Sequence, residues 1–147
     1  MIETLNDLVK INNDRIVGYE KAADQTKTSD EDLHTVFLEM ADQSRSYSEE
    51  LQDEIATLGG EVATDTTVSG KIYRAWMSVK NVFTGSDRKS ILESCEFGED
   101  AAQKAYKEAL ESDADIDADL RQIIMEQKAF LKVSHDQIKN LRDMQHA

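Results

Sequence analysis

The run EDLHTVFLEMADQSRSYSEELQDEIATLGG, residues 31–60, decides the fold. Leu33, Phe37, Met40, Ser44, Tyr47, Leu51, Glu54 and Leu58 recur alternately four and three residues apart. That spacing lines one side of a helix and describes the seam of a bundle or coiled coil. Thr28 and Glu31 form a capping-box pair ahead of it, and Gly59-Gly60 stops it. The expected helix covers about 29–58.

Working outward, Leu5, Leu8, Val9, Ile16, Tyr19 and Ala23 define a first amphipathic helix over about 3–24. Beyond the glycines, Ile72, Trp76, Val79 and Phe83 mark a shorter helix over about 70–84, which Gly85 ends. The stripe Leu92, Cys95, Glu99, Ala102, Tyr106, Ala109 predicts a third long helix over about 87–111. Leu120, Ile123, Ile124, Gln127, Phe130, Leu131, Ser134, Ile138 and Leu141 predict a fourth over about 115–144. No segment keeps a period of two, so the expected class is all-α, in one domain spanning residues 1–147. Short links make the first and second long helices antiparallel, and likewise the third and fourth. The longer stretch between the second and third suits a helical crossover along a four-helix bundle.

The composition agrees. There is no Pro and only 6 Gly, among abundant helix formers. With 30 acidic and 17 basic residues the net charge is -13. Such a field repels nucleic acid and anionic membranes, so neither is an expected partner. No apolar run has the length of a membrane span. Met1–Leu8 lacks a basic stretch followed by an apolar run, which makes the cytoplasm the default location. Cys95 is the only cysteine, so no internal disulfide forms. It reads as a small core residue rather than a nucleophile. Ile72, Tyr73, Trp76, Met77, Val79, Val82 and Phe83 are more large apolar residues than one side of a short helix needs, so a homodimer is a possible assembly.

Each long helix carries polar residues inside its apolar stripe: Asn12 in the first, Gln43 and Ser44 in the second, Glu96 and Glu99 in the third, Ser134 and His135 in the fourth. Counting from the turns brings them to one level. Glu99 is the sharpest, because a buried carboxylate must be protonated, hydrogen-bonded, paired or bound to a cation. Hydrogen bonds from Asn12, Gln43, Ser134 or His135 are the expected solution, and Glu99→Gln is then expected to keep most of the stability. Glu99, Glu96, His135, Gln43 and Asn12 are also the candidate ligands of a single metal such as iron, zinc or manganese. No catalytic residue and no cofactor is expected otherwise. Gly98 beside Glu99, with Ser94, Ala101 and Ala105, makes a small-residue stripe that suits close packing or a small ligand. Asp113, Asp115 and Asp117 lack the Gly and Glu of a calcium loop, since Ala118 and Ile124 stand there, so they read as a capping turn.

The run Ser94-Cys95-Glu96-Phe97-Gly98-Glu99-Asp100, with Ala105-Tyr106, Asn12-Asn13-Asp14, Gly18-Tyr19, Gln43-Ser44-Arg45, Tyr73-Arg74-Ala75-Trp76-Met77 and Ser134-His135-Asp136, resembles a family of bacterial four-helix bundles of unknown function described as ferritin-like. The resemblance covers almost the whole chain. It implies a ferritin-like bundle with no assigned reaction and a loosely stress-related role. Ferritin-like di-iron sites take a Glu from each of two helices and Glu-x-x-His from each of the others. Here Lys132 stands three before His135, and the one Glu-x-x-His, Glu31 to His34, lies in a first turn far from Glu99. A di-iron centre is therefore disfavoured. The classes left are a non-enzymatic interaction or stress-protection bundle, a degenerate ferritin relative holding one metal, and a small-ligand carrier.

Overall fold

The computed structural model describes residues 2–27, 31–62, 88–112 and 116–144. These residues form four helices and no strand: α1 (Ile2–Thr26), α2 (Glu31–Thr57), α3 (Arg88–Glu111) and α4 (Ala118–Asp143). The helix expected over 70–84, with its Trp76 and its dimer residues, lies outside the described residues, as does the Thr28 cap.

Local chemistry sets the ends that are seen. Gly59 takes φ 79°, a left-handed conformation that costs an L side chain about 1–2 kcal/mol. Its N–H bonds to Ala56 O at 3.0 Å, and Gly60 N–H bonds to Ile55 O at 3.0 Å. The two bonds satisfy carbonyls left over by the helix, in a Schellman arrangement. Gly60 has a second reason to be glycine, because a Cβ there would come within 2.7 Å of the Ile2 side chain. At the other end of the chain, Asp117 caps α4 by accepting from Leu120 N–H at 2.8 Å.

The contacts fix the directions. Asn13 meets Ser48 at 3.4 Å, and the Tyr19 and Phe37 ring centroids lie 5.8 Å apart, so α1 and α2 are antiparallel. Asn12 bonds Tyr106 and Arg15 bonds Glu99, so α1 and α3 are antiparallel as well. It follows that α2 and α3 run in the same direction. The close of α2 sits at the start of α1, where Asn6 donates to Glu61 O at 2.8 Å. The beginning of α3 sits at the opposite end, where Ile91 and Leu92 pack with Ala23, Leu33 and Phe37. α4 returns antiparallel to α3, with Gln103 donating to Lys128 O and Arg121 to Leu110 O, each at 3.1 Å.

The seams differ from expectation in instructive ways. In α2 the buried line passes from Ser44 to Ser48, Leu51 and Ile55, while Tyr47 and Glu54 are only half-buried and Leu58 is exposed. A straight helix has 3.6 residues per turn, so a strict 3.5-residue seam drifts by about 20° each heptad. In α1 the buried position is Arg15 rather than Ile16, and in α4 Phe130 points to solvent at 58% exposure.

The apolar core falls into two clusters. One holds Tyr19, Leu33, Phe37, Leu92, Cys95 and Ile138. The other holds Leu5, Leu8, Leu51, Tyr106, Ile124 and Leu131. Asn12, Arg15, Ser44, Ser48, Glu99, Gln127 and Ser134 are also buried, and they make up a polar layer of the interior.

Candidate functional site

Arg15 is the centre of the layer, and it is fully buried. It lies on the face that carries Leu8, Asn12, Tyr19 and Ala22, spaced four, three, four and three residues apart. Its Nε donates to Glu99 Oε1 at 2.9 Å, and its Nη2 lies 2.7 Å from the same oxygen. Nη1 donates to Ser44 Oγ, and both terminal nitrogens reach Gln43 Oε1 at 3.4 Å. Tyr19 O–H donates to Glu99 Oε1 at 2.6 Å, and the Arg15 guanidinium lies 5.3 Å from the centre of the Tyr19 ring. Ser134 Oγ–H donates to Gln43 Oε1 at 2.9 Å. The four helices are thus joined through one cation.

Burial alone would lower the Arg15 pKa, but Glu99 and the neighbouring hydroxyls outweigh it and raise it, so the guanidinium stays charged. Burial first, and then Glu99, hold the Tyr19 phenol well above its usual range. The same two causes push the Cys95 thiol up, which leaves it unreactive.

A second chain of bonds runs through the neighbouring turn. Asn12 Nδ2 donates to the Leu8 carbonyl oxygen at 2.9 Å and to the Tyr106 hydroxyl oxygen, Oη, at 2.8 Å. Tyr106 O–H donates to Gln127 Oε1 at 2.6 Å, and Gln127 Nε2 donates to Glu50 Oε1 at 2.8 Å. This chain leads from the interior to the surface.

The expected ligand set does not converge. Glu99 meets Arg15 and Tyr19, and bonds none of Asn12, Gln43, Ser134 or His135 directly. Gln43 and Ser134 reach it only through Arg15, and Asn12 belongs to the second chain. Glu96 and His135 lie outside the layer. A helix turns 100° per residue. Ser134 therefore faces in while His135 faces out, and Glu96 sits off the line of Glu99 toward α4. There Glu96 accepts from Arg142 Nη1. His135 Nε2 contacts Asp100 Oδ1, and its Nδ1 lies 3.1 Å from Asp136 Oδ1. Ligand atoms of Glu96, Asp100 and His135 lie within 4.8 Å of one another. Burial would lower the His135 pKa, but hydrogen bonds to Asp136 and Asp100 outweigh it and raise it. Glu31 to His34 is structural at its far end, where His34 Nδ1 lies 2.6 Å from Ala23 O and ties α2 to α1. Gly98 is buried, and Phe97 beside it is exposed.

Arg15 is the residue that sequence reasoning missed. Its signal was the uninterrupted spacing from Leu8 to Ala22, together with the need of Glu99 for a countercharge. Asp100 was missed because it lies outside every apolar stripe.

Residues 1–112, the stretch that carries α1, α2 and α3, match the family model described as Domain of unknown function (DUF2383). The chain belongs to that family. The DUF2383 match thus includes Asn12, Arg15, Tyr19, Gln43, Ser44, Glu99 and Tyr106, whereas Gln127, Ser134, His135 and Arg142 of α4 follow it. A comparison with curated proteins finds no match.

Proposed function

We propose that this DUF2383 protein is a non-enzymatic, ferritin-like helical bundle with an interaction or stress-protection role, and that its buried polar layer fixes the register of the helices instead of serving as a reactive centre. The observation that carries this reading is the Arg15–Glu99 pair, both side chains 0% exposed. In a metal centre the carboxylates face a cation, whereas here the cation is a side chain. Buried polar groups hold helices in register best where every alternative leaves a charge unpaired. The ferritin-like topology is supported by the common direction of α2 and α3, which sets the close of α2 and the beginning of α3 at opposite ends of the bundle. The test is thermal unfolding with and without added Fe²⁺, Zn²⁺ or Mn²⁺. A structural layer predicts that Glu99→Gln does not alter the response to metal. A saturable gain in Tm that Glu99→Gln abolishes would refute it.

A second reading places one metal ion at the surface, on Glu96, Asp100 and His135, and the convergence of their ligand atoms favours it. His135 and two carboxylates form a suitable donor set for zinc or manganese. The ion must displace Arg142 from Glu96 and a proton from His135, so its affinity rises with pH. Zinc titration by calorimetry at two pH values, with His135→Ala as control, tests this reading. Heat that is unchanged in the variant counts against it.

A further inference from the structure

Glu99 Oε2 and Asn12 Oδ1 are fully buried and accept no hydrogen bond from any group among the described residues. Both are acceptors. They are also the open ends of the two chains of bonds, for Glu99 uses only Oε1 toward Arg15 and Tyr19, and Asn12 uses only its amide nitrogen toward Leu8 and Tyr106. A buried acceptor without a donor costs about 1–3 kcal/mol, and more if it is charged. Each of the two atoms therefore needs a donor that no described side chain supplies.

We propose that Asn12 Oδ1 and Glu99 Oε2 form a binding site for one internal water molecule, which donates a hydrogen bond to each and joins the two chains into one network. Three other donors fit less well. A proton on Glu99 shared with Asn12 would leave the Arg15 guanidinium buried without a countercharge. A divalent cation would find one carboxylate and one amide oxygen, far short of a coordination shell, beside an existing positive charge. An ammonium ion meets the same repulsion. Water is neutral and carries two donors for the two acceptors. Asn12 and Arg15, the partner of Glu99, stand one turn apart on one face of α1, which sets the two acceptors at neighbouring levels of the layer. A water that bonds both at about 2.7–2.8 Å requires the two oxygens to lie within about 5.5 Å of each other. The site holds whether or not the layer sets the register.

The test is a crystal structure of the full chain at a resolution that shows ordered water. The expected result is one peak within about 2.7–3.2 Å of both oxygens. Direct contact between the two oxygens would show a shared proton and overturn the proposal. A peak with anomalous signal and short coordination distances would assign a cation and overturn it too, as would no peak at all. In solution, magnetic relaxation dispersion should count one long-lived water that is lost when Arg15→Met is combined with Glu99→Leu. An unchanged count in that variant rejects the assignment. If the variant does not fold, the crystal structure of the natural chain decides alone.

Discussion

Glu99 shows how a single partner changes the meaning of a residue. An amide in its place can still hydrogen-bond, which is why Glu99→Gln looks mild from sequence. The pairing argues the other way, because the substitution removes the charge that Arg15 faces, at two side chains that are both 0% exposed. Breaking a buried pair by removing one partner costs about 3–5 kcal/mol. Both Glu99→Gln and Arg15→Leu are therefore expected to lower stability by that order in urea unfolding. Arg15→Met with Glu99→Leu should lose much less than the sum of the two singles, because no charge is stranded. The layer was legible as a set of polar residues in apolar stripes, but its pairing was not. An Arg at a seam position looks like surface charge until the facing helix is known. His135 carries a separate prediction. Its pKa is raised above 6.5, so its contacts with Asp100 and Asp136 stabilise the fold fully below that value. The contribution is lost as pH rises through the raised folded value. Tm should fall over that interval in the natural chain, and His135→Gln should flatten the fall.

At the scale of elements, the helices were readable because their stripes are long and their stops are chemical. Gly59-Gly60 and Asp117 mark ends from sequence, and both make the bonds their types suggest. What could not be read was the rotation of each helix after several turns, where Ser48 and Ile55 replace Tyr47 and Glu54 on the buried side. That rotation decides His135 and Glu96 too. Gly59→Ala forces a side chain into a left-handed conformation and is expected to cost about 1 kcal/mol. Unfolding in denaturant would measure it, and no loss would mean that the turn relaxes freely. The common direction of α2 and α3 gives a sharper test. α2 is 27 residues long, or about 40 Å at 1.5 Å per residue. Six residues fully extended span about 20 Å. Replacing 63–87 by six residues of Gly and Ser should prevent the native monomer, as judged by light scattering and circular dichroism. A well-folded monomer would disprove the parallel arrangement.

The whole molecule carries a net charge of -13. Like charges at that density repel one another in the folded state more than in an expanded chain, and salt screens them over about 10 Å at 0.1 M. Tm should therefore rise between low and moderate NaCl, and a fall would show that favourable surface pairs such as Glu20–Arg45 dominate instead. The interior has its own large-scale division, since the apolar packing forms two blocks, one around Phe37 and Leu92 and the other around Leu51 and Leu131. Cys95 belongs to the first block only, it is 0% exposed, and it is the sole thiol of the chain. The protein thus contains a ready-made kinetic reporter. The rate at which a thiol reagent labels it reads how often the Phe37 half of the bundle opens, and comparison with amide exchange in the Leu51 half would tell whether the two halves breathe together or in turn.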